Sequence, residues 1–410
     1  MSAPALKPPR LSNSFLPYGR QVVDDDDIAM VAEALRGDLL TTGPFVARFE
    51  AALAKTVGAQ HAVVCANGTG ALHMAARALN LGPGTKVIVP SVTFLATASA
   101  PHLNGAEIVF ADVDPETGLM RPQDLEAALA RAGGADAVFN VHLNGQCGEL
   151  EQLAEIAEAH GARIVDDACH ALGTAYVARD GNVHPVGSNA FSDLTVFSFH
   201  PVKTIAMGEG GAVTAKDPQA AEALQRARNH GMTREPARFE HAADAFDENG
   251  EPNPWYYELT EPGFNWRAND MQCALGLSQL NKLGRFVARR RALAARYDAI
   301  LTDAAPVLRP LKRMRACLPA WHLYVVRIDF ELAGISRSRL MRALAAEGIG
   351  TQVHYLPVHR QPYFTRRYGA LSLPGADRYY ARALSLPLFA SMGDDDVERV
   401  VDALKRHLKL

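Results

Sequence analysis

From residue 61 onward, short apolar runs alternate with stretches of helical periodicity, and this alternation constrains the fold more than anything else in the chain. Residues 61–65, 86–89, 107–110, 137–141 and 163–165 read as strands. Between them, residues 71–79, 94–104, 122–132 and 150–160 carry the spacing of amphipathic helices. A strand, a helix and a second strand in succession make a parallel pair with a right-handed crossover. The expected fold class is therefore α/β, a doubly wound sheet. Residues 195–199 and 211–215 add two strands around a loop, and helices are expected over 22–35 and 45–57, the first beginning under the acids Asp24 to Asp27. Beyond helices at 218–229, 271–283 and 284–301, the segment 321–330, a helix at 336–347, a strand at 351–355 and a helix at 394–408 read as a small α+β domain. A chain of 410 residues suits two domains. The expected division is a flexible arm over 1–15, a large domain over 16–285 and a small domain over 286–410. The polar stretch 233–262 is too long for a plain connection and reads as a functional excursion near an interface or entrance.

Charge and cysteine usage exclude several classes. The net charge of −3 offers no electrostatic footprint for nucleic acid or for polybasic membrane attachment. No run reaches the ~18 apolar residues of a membrane helix. Five scattered cysteines without Cys-x-x-Cys spacing point to reduced thiols and a cytoplasmic location. No metal is expected, because His142, His354 and His359 lack carboxylate or cysteine neighbours at ligand spacing.

Chemistry concentrates in three segments. In Phe197-Ser198-Phe199-His200-Pro201-Val202-Lys203-Thr204, a lysine sits in an otherwise uncharged loop before the glycine-rich turn 208–211. Poor solvation favours the neutral amine, a nucleophile toward a carbonyl. Ser198 offers a hydroxyl suited to phosphate. Together they suggest a lysine forming a Schiff base with pyridoxal phosphate (PLP). Asp166 and Asp167 follow a buried strand end, where ligands bind in parallel sheets. One of them is expected to cap a following helix and the other to pair with the cofactor's ring nitrogen. Third, Asn67-Gly68-Thr69-Gly70 opens a helix; a small-residue turn at a helix N-terminus suits phosphate, and taken alone it equally serves as a tight strand-to-helix connection.

These segments, with 38–44, 90–98, Gly263-Phe264-Asn265-Trp266-Arg267, 272–280 and Gln352-Val353-His354-Tyr355, form an ordered set. The set resembles the DegT family of sugar-nucleotide aminotransferases, PLP enzymes of fold type I. Ser198 to Lys203, Asn229-His230-Gly231-Met232 and 253–258 are most similar to its pseudaminic acid branch. The resemblance implies a mostly parallel seven-stranded sheet with one antiparallel strand. It implies Lys203 as the Schiff base lysine and catalytic base, Asp167 on the pyridine nitrogen, and Asp166 as structural. Phe94 would lie over the ring, Gly68, Thr69 and Ser198 on the phosphate, and His170 near the phenolic oxygen. Asn265 would reach the phosphate of a neighbouring subunit, making a homodimer with shared sites. Thr41, Thr42, His200, His354 and Tyr355 would meet the nucleotide-linked sugar. The implied reaction moves an amino group from L-glutamate to C4 of a 4-keto-6-deoxy sugar, UDP-2-acetamido-2,6-dideoxy-hex-4-ulose being favoured over GDP- or dTDP-linked sugars. A dehydratase branch of the same fold carries histidine at the Schiff base position, whereas position 203 is lysine.

Overall fold

The computed structural model describes residues 15–410; the expected arm lies, all but Phe15, outside the described residues. The centre is a seven-stranded sheet. In spatial order its strands are His61–Cys65, Gly211–Ala215, Leu194–Ser198, Arg163–Asp167, Ala137–Val141, Lys86–Pro90 and Glu107–Ala111. Gly211–Ala215 runs antiparallel to both neighbours, and the remaining pairs are parallel. Ala137–Val141 and Gly211–Ala215 are buried along their whole length, as strands covered on both faces must be. The parallel strands all end at one edge, and there the chain delivers Gly68, Phe94, Asp167 and Lys203.

Local chemistry sets the helices that matter for that edge. The Asn67 side chain accepts from Gly70 N at 2.8 Å and starts the helix Gly68–Ala78. Pro44 stands at the first position of Pro44–Val57, which Gly58 ends in a left-handed conformation. Beyond the linking helix Leu283–Ile300, the strands Leu308–Pro310, Tyr324–Ile328 and Ala383–Leu386 form an antiparallel sheet. That sheet shares an apolar cluster with the helices Arg337–Ala346 and Asp394–Leu408. Leu16 belongs to the same cluster and exchanges backbone hydrogen bonds with Gly348 and Gly350.

Three expectations are corrected. The Arg163–Asp167 strand runs through both aspartates and is followed by turns, so neither aspartate caps a helix. The helix expected over 94–104 begins at Ala96, leaving Phe94 and Leu95 about half exposed before it. No strand forms over 351–355. Only Gln352 bridges Ser385, because the segment leaves the sheet edge to enter the cavity described next. The 233–262 excursion closes on itself. Met232–Thr233 pairs with Glu258–Leu259, and the Glu258 carboxylate accepts from the Glu240 and His241 amides.

Candidate active site

At the carboxyl edge of the sheet lies a cavity of about 830 Å³. It is lined by Gly68, Thr69, Phe94, Asp167, His170, Ser198, His200, Lys203, His354 and Tyr355, ten of the residues singled out in the sequence. Thr41, Thr42 and Asn265 are not among the lining residues. They are exposed, and the Asn265 Oδ1 accepts from Arg267 N at 3.1 Å. Thr42 borders a separate depression with Glu50, Arg228 and Arg267.

Strand alternation separates the two aspartates. Asp167 faces the cavity, where Oδ2 accepts from Thr97 Oγ1 at 2.7 Å and Oδ1 from Cys169 N at 3.2 Å. Asp166 faces the opposite way, accepting from Asn140 Nδ2 at 3.0 Å, with the buried His142 Nε2 3.3 Å away. Lys203 rides a loop closed by Lys203 N donating to His200 O at 2.8 Å and Met207 N to Phe199 O at 2.9 Å. Burial lowers its amine pKa, partly opposed by Cys169 and the Asp167 carboxylate, so the neutral amine is reached more easily than in a free lysine. Burial and the charge of Lys203 keep His170 and His322 well below the usual imidazole range and press His354 down to about 3. The lysine therefore stands among neutral imidazoles.

The phosphate turn packs against the end of the lysine loop. A methyl group on Gly68 would stand 2.9 Å from Ser198 Cβ, and one on Gly211 would stand 2.4 Å from Asn67 O. The first amides of the Gly68–Ala78 helix have no acceptor within it. Gly70 N is taken by the Asn67 side chain, and the remaining amides with the Thr69 and Ser198 hydroxyls would make an anion cradle in the same cavity as an amine and a carboxylate. That donor set fits PLP: Lys203 would meet the aldehyde, Asp167 the ring nitrogen and the cradle the phosphate.

A model of the DegT/DnrJ/EryC1/StrS aminotransferase family matches residues 21–405. The chain belongs to that family. It is 38% identical over 400 residues to the spore coat polysaccharide biosynthesis protein SpsC of Bacillus subtilis, covering 97% of this chain and 98% of the relative. Its fold is similar to that of Helicobacter pylori PseC, an aminotransferase of pseudaminic acid biosynthesis. The TM-score is 0.86 at 27% identity, over 97% of this chain and 100% of the other. It is also similar to the putative sugar aminotransferase Spr1654 of Streptococcus pneumoniae in its PLP form, with TM-score 0.82 at 25% identity over 96% and 99% of the two chains. As a DegT/DnrJ/EryC1/StrS member the protein is a PLP-dependent sugar aminotransferase.

Several cavity residues escaped the sequence reading. Thr97 orients Asp167, and Tyr18, Trp266 and His322 complete the wall. Thr97 carried one signal, its place four residues after Thr93, and the two hydroxyls meet at 2.7 Å. Arg290 is the middle of three consecutive arginines, Arg289 to Arg291, in the helix expected over 284–301. It is 1% exposed and has no carboxylate partner among the described residues. Its guanidinium donates instead to the carbonyls of Leu388 at 2.9 Å, His322 at 3.2 Å and Lys203 at 3.4 Å. Among the described residues no helix is long and apolar enough to cross a membrane, and no His/Cys/Asp/Glu cluster suits a metal.

Proposed function

We propose that the protein transfers the amino group of L-glutamate to C4 of a UDP-linked 2-acetamido-2,6-dideoxy-4-keto sugar, in the cytoplasm, for a surface or flagellar glycan. The observation that carries the reaction type is a lysine amine, not an imidazole, placed at position 203 in one cavity with Asp167. The substrate reading is supported by similarity to PseC and by the segments shared with the pseudaminic acid branch.

When bound, PLP supplies an electron sink for the carbon acid formed on either substrate. The remaining work falls to side chains. Lys203, placed in the cavity beside Asp167, would act as the base that moves a proton between the reacting carbons. Asp167, held by Thr97 and the Cys169 amide, is fixed to keep the ring nitrogen protonated. Phe94 and Tyr355, with ring centroids 5.9 Å apart, form an aromatic wall that limits water. Asn265, exposed outside the cavity of its own chain, serves the site of a second subunit in a homodimer, and Thr41 and Thr42 meet the sugar nucleotide. An amide donates to phosphate oxygens without adding charge.

The test is incubation with L-glutamate and a panel of UDP-, GDP- and dTDP-linked 4-keto-6-deoxy sugars, reading 2-oxoglutarate release. Turnover of the UDP-linked acetamido sugar alone is expected. Turnover only of sugars lacking the acetamido group would overturn the substrate while leaving the aminotransferase. Release of the sugar's hydroxyl without 2-oxoglutarate would overturn the reaction type.

A further inference from the structure

We propose that Tyr355 presents a directed O–H donor to an oxygen acceptor in the cavity, its proton aimed by a one-way hydrogen-bond chain that begins at the Asn144 backbone. Asn144 follows the Ala137–Val141 strand and takes a left-handed conformation, φ 62°. In that conformation its N–H donates to His170 Nδ1 at 3.3 Å, while its carbonyl accepts from His322 N at 3.0 Å. His170 is 7% exposed, in a site where its charged form is disfavoured. A neutral imidazole carries a single N–H. With Nδ1 accepting, that proton is on Nε2, and Nε2 lies 3.1 Å from the Tyr355 hydroxyl oxygen.

The polarity of the chain follows without further assumption. Nε2–H donates to Tyr355 Oη, so the phenol cannot donate back to His170. Burial holds the Tyr355 phenol well above its usual range, so it keeps its proton. That proton is left for a partner on the other side of Oη, and Tyr355 lines the cavity. Two oxygens can accept it there: the phenolic oxygen of the cofactor, or a carbonyl or hydroxyl of the sugar. The second rests on the sugar reading above, and the first does not. His170 and Asn144 are positioning residues in this arrangement, because His170 Nε2 is already engaged by Tyr355.

The test begins with the tautomer in holoenzyme carrying ¹⁵N-labelled histidine. The His170 resonances are identified by their loss in His170→Gln. The Nε2–H tautomer is expected, and an Nδ1–H tautomer overturns the chain. The acceptor is then located with Tyr355→Phe. If it is the cofactor, the pH midpoint of the bound cofactor's visible band shifts by about one unit without substrate, and the KM for sugar is unchanged. If it is the sugar, the midpoint stays and the KM rises about tenfold. If Tyr355→Phe alters neither the midpoint nor the KM, the proposal is overturned. Asn144→Gly, which accepts a positive φ, should keep the Nε2–H tautomer. Asn144→Val, which resists it, should lose the tautomer and reproduce the Tyr355→Phe effect. If the valine variant does not fold, the glycine variant and Tyr355→Phe still decide. Loss of cofactor binding in the unmodified protein would instead count against the cofactor assignment.

Discussion

In the role proposed above, Lys203 has to give up its proton readily, and its surroundings explain how. It faces the Asp167 carboxylate, which would favour an ammonium, yet burial outweighs that attraction. Because the amine pKa is lowered, the neutral fraction at a given pH exceeds that of a free lysine. The rate of PLP capture by apoenzyme should therefore level off at a lower pH than capture by a model amine, as followed by the visible band. Borohydride should fix the cofactor onto the peptide containing Lys203, and Lys203→Ala should leave it extractable. Asp167→Asn removes a charged partner for the ring nitrogen, worth about 1.5–3 kcal/mol, so PLP affinity should fall roughly 10- to 100-fold. Asp166→Asn, on the opposite face with Asn140 and His142, should change that affinity little. Equilibrium dialysis of both variants checks the pair, and reversed effects would mean that Asp166 meets the cofactor. That Lys203 and the turn at Gly68 would share one cavity was legible because each departs from its surroundings: a lone charge in an apolar loop, small residues before a helix. Arg290 was not, because a sequence cannot say which arginine of three turns inward.

Elements were legible where periodicity was strong and illegible where tertiary contacts set the path. The helix Asp394–Leu408 carries acids in its first turn and bases in its last, and it forms with the bounds expected. Residues 351–355 have strand-like composition, but their path is set by the cavity they line, and no local pattern records that. The lysine loop shows the same dependence on distant parts of the chain. It is held from outside by Arg290, which reaches from the helix Leu283–Ile300 to the Lys203 and Leu388 carbonyls at once. Arg290→Met would leave those carbonyls buried without donors, at about 1–3 kcal/mol each. A fall of at least ~2 kcal/mol in unfolding free energy is expected by urea titration, together with slower PLP capture. Arg290→Lys should recover part of both. A methionine variant as stable as the parent would remove the guanidinium from this role.

At the scale of the whole molecule, the exposed placement of Asn265 makes assembly testable. Lys203→Ala and Asn265→Asp should each be inactive, the second because it sets a negative charge beside a phosphate. A dimer of one of each would contain one site free of both changes, so mixing and re-association should restore partial activity. No recovery despite proven subunit exchange would argue that each site is built from one chain. The neutral imidazoles set a second global property. His170, His322 and His354 titrate lower when folded than the ~6.5 of an unfolded chain. The unfolded state therefore binds more protons below pH ~6.5. Stability should decline progressively from there toward pH 3, where His354 itself titrates. His354→Gln should flatten that decline in a series of thermal melts. The strand order carries one more consequence, for the making of the protein. Among the described residues, His61–Cys65 has its only sheet partner in Gly211–Ala215, about 150 residues later. At 5–20 residues per second, a ribosome takes roughly 8 to 30 seconds to supply that partner. Until then the first strand has no neighbour and the phosphate turn has nothing to close against. The nascent chain can thus acquire its cofactor only after the antiparallel strand has been inserted.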